Sequence, residues 1–136
     1  MPSQEKLRSV GLLILRIGIG TAFLAHGLPK LLGGPDIWER VGGAMGVFGI
    51  TFAPAAWGLL AALSEAGGGL LLILGLFARP AAAFLAFTML VAMLMHVQKG
   101  DGFREWSHAA EALVLFVSLV FIGAGRFSLD RRLRER

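Results

Sequence analysis

The sequence predicts an all-α fold: a polytopic membrane protein, built as an antiparallel four-helix transmembrane bundle with a short interfacial helix between its first two spans. Three observations predict it. Hydrophobic residues make up 56% of the 136 positions and charged residues 16%, with a mean hydropathy of +0.72. A chain this short keeps much of its surface exposed, so water cannot accommodate that much apolar side chain, whereas lipid can. Four long apolar stretches stand apart, each near the ~20 residues that cross a hydrocarbon core. The 19 glycines exceed what ordinary soluble helices carry and suit closely packed membrane helices.

The spans are expected at residues 9–32, 55–77, 80–98 and 106–125, within one domain. Only Ala78 and Arg79 separate the second from the third, so these two form a tight hairpin, and Pro80 suits a first helical turn, where a missing N–H costs nothing. No small-x-small cleavage site follows a short apolar core in the first span, which is therefore read as retained. Between spans one and two, Ile37, Val41, Ala44 and Phe48 fall on one face, while Glu39, Arg40 and several glycines fall off it. The segment is too short to span. It is expected to be an interfacial or re-entrant helix with Trp38 at headgroup level, the alternative being a plain loop.

Basic residues concentrate in residues 126–136, which hold Arg126, Arg131, Arg132, Arg134 and Arg136. A basic tail beside an apolar span belongs to a cytoplasmic membrane edge, and nucleic acid is not an expected partner, since no soluble platform presents a basic patch. With four spans, both termini share a side with Arg79. Lys6, Arg8, Arg79 and the five tail arginines lie there, against Lys30, Arg40, Lys99 and Arg104 opposite. This excess predicts a plasma (inner) membrane protein with both termini in the cytoplasm.

Ionisable groups inside spans cost ~2.5–3.5 kcal/mol each on insertion scales, so each needs a reason. Here they are Arg16, His26, Glu65, His96, His108 and Glu111, with Lys30 at a helix end. The three histidines fall near the ends of spans one, three and four that lie away from the termini. At ~100° per residue, Arg16, His26 and Lys30 lie within roughly 80° of one another on span one, and His108 and Glu111 share a face three residues apart. One polar cluster fed by all four helices is therefore expected, lining a pocket that opens outward. The candidate catalytic groups are Glu65 and Glu111, and the candidate ligand-binding groups are Arg16, His26, Lys30, His96 and His108. The plain structural alternative is a set of headgroup-facing histidines with one or two buried ion pairs. For Arg16 it is either snorkelling to the cytoplasmic edge or pairing with Glu65.

No metal site is expected. Bundles bind di-iron through repeated Glu-x-x-His pairs, and here only His108-x-x-Glu111 is similar, once and in reversed order. Two histidines near one depth would permit haem ligation, but nothing requires it. With no cysteine in the chain, disulfides, thiolate sites and cysteine catalysis are excluded. Gly18, Gly20, Gly67, Gly68, Gly69 and Gly75 lie in spans with no strand or Gly-Lys-Ser/Thr ending, so helix packing explains them and phosphate binding does not.

The stretch Arg16-Ile-Gly-Ile-Gly-Thr-Ala-Phe-Leu-Ala-His26-Gly27-Leu-Pro-Lys30-Leu resembles the first-helix signature of the DoxX family. Glu65 followed by glycines, His96 closing span three, and Trp106 with Glu111 in span four also resemble its pattern. The similarity covers roughly residues 9–125. It implies the four-span fold and a membrane location, and more loosely a part in membrane redox chemistry. The family takes its name from a subunit of a thiosulfate:quinone oxidoreductase, and relatives are assigned to oxidoreductase complexes and oxidative-stress responses. Four-span relatives that work through paired cysteines differ, because this chain has none. The expected function is accordingly a membrane redox component binding a quinone or similar small aromatic molecule in the outward pocket. Lys30 or a histidine would bond the carbonyl, and Glu65 or Glu111 would exchange protons. The alternatives are a non-catalytic accessory subunit of a membrane complex, or a small proton-coupled transporter. Expected partners are the bilayer, the ligand, and a redox partner or further copies of the chain.

Overall fold

The computed structural model describes all 136 residues. Helix α1 runs Gln4–Leu32, α2 Pro35–Gly42, a 3-10 segment Gly43–Phe48, α3 Pro54–Leu74, α4 Ala78–Gln98, α5 Phe103–Ile122 and α6 Leu129–Arg134. Four of these, α1, α3, α4 and α5, are long and apolar enough to cross a membrane, and there are no strands. They run antiparallel in chain order. One end of the bundle therefore holds both termini and the α3–α4 turn (the terminal face), and the other holds α2 and the α4–α5 loop (the loop face).

The bundle is assembled as two tight pairs. In the pair α1–α3 the glycines let backbones meet: a Cβ on Gly20 would lie 2.6 Å from the Gly69 carbonyl, and one on Gly27 2.3 Å from the Ala66 nitrogen. Small residues at such contacts replace the hydrophobic driving force that lipid cannot supply. In the pair α4–α5, alanines do the same work, with Ala78, Ala81, Ala82, Ala109 and Ala112 all buried. Large side chains fill the space between the pairs. Phe23 of α1 meets Phe116 of α5 edge to face at 4.8 Å, and Leu72 and Leu85 are fully enclosed. The remaining apolar side chains point outward, among them Leu63, Leu70, Phe84 and Phe121. That inversion of a soluble surface is what lipid contact requires.

Helix α1 begins at Gln4 because Ser3 caps it, accepting from the Lys6 N–H at 3.2 Å. Helix α4 begins two residues before Pro80, so this proline occupies the first turn without opening the helix. The interfacial segment is helical, but it lies against α3 and not free among headgroups. A Cβ on Gly42 would sit 1.6 Å from the Pro54 carbonyl, and one on Gly58 1.6 Å from the Trp38 carbonyl. The indole N–H of Trp38 donates to the Lys30 carbonyl at 3.0 Å. Trp38 thus ties the segment to the end of α1, and its polar tip is used inside the protein.

Candidate functional site

A groove of about 920 Å³ opens between α3 and α4, the two helices at which the tight pairs meet. Its floor is made by the small residues Ala61, Gly67, Gly68 and Ala81, and its walls by Leu60, Leu71, Phe84, Phe87 and Val91. The 3-10 segment covers its loop-face end, where Met45 is buried and Phe48 stacks on Phe87 at 6.3 Å. Lining residues extend from Pro80 to Lys99 along α4. At 1.5 Å per residue the groove is roughly 28 Å long, almost the full hydrocarbon thickness.

Polar groups gather at one end of it. Glu65 is 3% exposed, a carboxylate held mid-helix inside the bundle. Lys30 reaches it from the end of α1, its Nζ donating to both carboxylate oxygens at 2.8 and 3.0 Å. The pair forms because Gly27, one turn before Lys30, lets α1 lie on the backbone at Glu65. Lys30 keeps 36% of its side chain exposed, so the pair has one dry end and one wet end. Arg40, Lys99 and His96 complete this mouth, and His96 Nδ1 lies 2.7 Å from Asp101 Oδ2. At nearly the same depth as Glu65, Thr88 donates to the Phe84 carbonyl at 2.9 Å, and its hydroxyl lies 3.1 Å from that of Ser64. Trp57 also lines the groove, and its indole N–H is buried without a partner. An unmet donor of this kind costs free energy until something accepts from it.

The structure brings together only part of the expected cluster. Lys30, Glu65 and His96 line the groove; Arg16, His26, His108 and Glu111 do not. His26 and His108 face each other across the opposite furrow, between α1 and α5, with ring centroids 6.0 Å apart. Glu111 lies exposed on α5 beside them. Arg16 lies toward the opposite end of the bundle, the other three turn away from the groove, and a single pocket does not form. No three His, Asp or Glu side chains stand close enough to share a metal ion.

Arg16 neither snorkels nor pairs with Glu65. It is fully buried near the terminal face, its guanidinium donating to the Leu72 carbonyl at 3.0 Å and to the Phe127 carbonyl. A cation beside the carbonyls that end α3 answers the helix dipole there. Asp130 does the converse for α4, accepting from the N–H groups of Phe77 and Ala78 at 2.8 and 3.0 Å. The basic tail therefore includes a docked segment. Ser128 is buried and Asp130 closes the α3–α4 turn, while the arginines of α6 stay exposed. A hydrogen bond to Glu135, and then the charge of that carboxylate, raise the pKa of Arg131 above its ordinary value.

Sequence reasoning missed Arg40, Trp57, Ser64 and Thr88 at the groove, and Asp130 at the turn. Short polar residues inside spans were a signal for Ser64 and Thr88. Nothing local marked the other three.

Four apolar helices and a half-buried Lys–Glu pair define a small multi-pass membrane protein with a groove along its side. The DoxX family profile matches residues 11–98, and the chain belongs to that family. It is 32% identical over 135 residues to the inner membrane protein YqjF of Escherichia coli K12, covering 97% of this chain and 98% of that one. A protein of Haemophilus influenzae is 36% identical over 138 residues, with 97% of each chain covered. A membrane protein of Mycobacterium tuberculosis is 34% identical over 139 residues, covering 90% of this chain and 80% of that one. No solved structure matches the chain.

Proposed function

We propose that the α3–α4 groove holds a membrane-soluble amphiphile with a flat polar head, of the quinone class, and that the protein serves a membrane redox system by binding it. The observation that carries this reading is the Lys30–Glu65 pair at the head of a long apolar groove. A volume of about 920 Å³ falls in the range of small-molecule sites, ~300–1,000 Å³. The head would lie at the loop face, where the Lys30 ammonium can donate to a carbonyl oxygen. The tail would follow the apolar walls between the two helices, reached sideways from the bilayer. Glu65 is the only carboxylate lining the groove, so it is the group placed to pass protons to or from a bound head. Reducing a quinone takes two electrons and two protons. The chain carries no cysteine to supply the electrons, and they would come from a redox partner in the same membrane. The two functions are thus divided: this chain binds and handles protons, and the partner oxidises or reduces.

Gly67 provides the test, because it lines the groove and a Cβ there meets nothing within 4 Å. In Gly67→Leu a side chain fills the groove without pressing on a neighbouring helix. Quenching of tryptophan fluorescence by a short-chain quinone should be saturable in the wild type and weaken by about tenfold or more in this variant. Lipid extracts of the purified protein should contain a quinone, and those of the variant should not. Quenching that never saturates, or that Gly67→Leu leaves unchanged, would sink the proposal.

A further inference from the structure

We infer that the flank formed by α1 and α5, on the far side of the bundle from the groove, is an interface between two copies of this chain in the membrane.

Polar groups exposed to lipid are the first reason. Glu111 is exposed on α5 and accompanied by no ion pair or hydrogen bond. It lies eight residues into its helix, roughly 12 Å from the start at 1.5 Å per residue. Exposed at that depth means exposed to hydrocarbon, where a carboxyl group without a partner is expensive. His26 and His108 are exposed as well and face each other across the same furrow. Pro29 adds one more demand. It lies within α1 and has no N–H for the carbonyl of Ala25, one turn earlier on the exposed face. Each of these groups asks for a protein neighbour.

The second reason is that the flank complements itself. It carries an acid, Glu111, and two bases, His26 and His108. Two copies in one bilayer share an orientation, so their two-fold axis runs along the membrane normal and equivalent residues lie at equal depth. His26 is six residues from the end of α1, roughly 9 Å from the loop-face end, within one helical turn of the depth of Glu111. A symmetric contact therefore brings Glu111 of each copy to within a helical turn of the depth of His26 of the other, where an acid and a base can meet. A different subunit would have to supply this pattern separately; a second copy has it already. The backbone allows the approach. Gly18, Ala22 and Ala25 lie on the side of α1 opposite its buried face, and a Cβ on Gly18 meets nothing within 4 Å. The α1 helices of two copies can thus pack closely along these positions.

The absence of cysteine makes the test direct, since a single introduced cysteine can cross-link only to another chain. With a membrane-permeant oxidant in native membranes, Ala22→Cys and Ala25→Cys should give a disulfide-linked dimer, while Leu70→Cys and Phe84→Cys on the other flank stay monomeric. Adding Glu111→Leu to Ala22→Cys should weaken self-association by about three- to tenfold, the span of one intramembrane polar contact, with the melting temperature in detergent unchanged. The inference fails if Ala22→Cys and Ala25→Cys stay monomeric. It also fails if they link only to a different membrane protein, or if Glu111→Leu leaves the dimer fraction as it was.

Discussion

Lys30 and Glu65 form a pair whose two ends differ in their access to water, and this asymmetry decides what each side chain is worth. Glu65 is 5% exposed along its side chain and Lys30 36%. Removing a partner from a fully buried pair costs ~3–5 kcal/mol, because the charge left behind has nothing to replace it. In Lys30→Met the stranded group is Glu65, which cannot reach water, and the loss should approach that range. In Glu65→Gln the stranded group is Lys30, which can swing its ammonium to the wet loop face. The amide keeps a hydrogen-bond acceptor, and the loss should be nearer ~1–2 kcal/mol. Thermal unfolding in mild detergent should therefore rank wild type above Glu65→Gln and Glu65→Gln above Lys30→Met. The reverse order would mean that Lys30 is less hydrated than its exposure implies. Arg16 belongs to the same scale and the opposite chemistry: its two terminal nitrogens donate to the Leu72 and Phe127 carbonyls, which makes it a structural clamp.

Glycine position distinguishes the elements more sharply than glycine number. Gly27 and Gly67 are both mid-helix, and their surroundings predict opposite signs for the same substitution. A Cβ on Gly27 would lie 2.3 Å from the Ala66 nitrogen and 2.7 Å from the Glu65 Cβ, so Gly27→Ala must push α1 away from α3. Overpacking of this kind costs ~1–3 kcal/mol, and here it also lengthens the Lys30–Glu65 contact. Gly67→Ala meets open space and should be stabilising by ~0.5–1 kcal/mol, the usual gain of alanine over glycine inside a helix. Melting both variants beside the wild type checks the pair; a stable Gly27→Ala would contradict the packing described. The α3–α4 turn is a second case. Phe77 takes a left-handed conformation at φ 47°, which a bulky residue adopts at a cost of ~1–3 kcal/mol. Asp130 offsets it from 53 residues away, accepting from the Phe77 N–H.

At the scale of the molecule, charge decides orientation. Eight of the Lys and Arg residues at or beyond the ends of the spans lie on the terminal face, against four on the loop face. We propose that the terminal face is cytoplasmic, which would open the cationic mouth of the groove to the other side of the membrane. Labelling of single cysteines with a membrane-impermeant maleimide checks it. Asp36→Cys and Asp101→Cys should react in intact cells, and Arg136→Cys only after permeabilisation. Labelling of Arg136→Cys alone in intact cells would invert the assignment.

Composition and hydropathy alone determined that this chain is a four-span helical membrane protein, because lipid accepts only segments that satisfy their own backbone and present apolar side chains. The motif around His26, Gly27 and Lys30 already pointed to its family, and Glu65 stood out as an acid no bilayer would tolerate unpaired. Depth along each helix was legible too, since it follows from counting residues at 1.5 Å each. Azimuth was not. The direction in which His26, His96, His108 and Glu111 point depends on which helices are neighbours, and that is set by where two backbones can touch. Only the tertiary structure showed that Gly27 seats α1 on α3 and so gives Lys30 to Glu65, leaving Arg16 to the end of α3. It likewise separated His96, at the groove, from His26 and His108, on the opposite flank. The docking of Asp130 beneath α4 was equally invisible in sequence, since a carboxylate in a basic tail shows its partner only once the chain has folded back upon it.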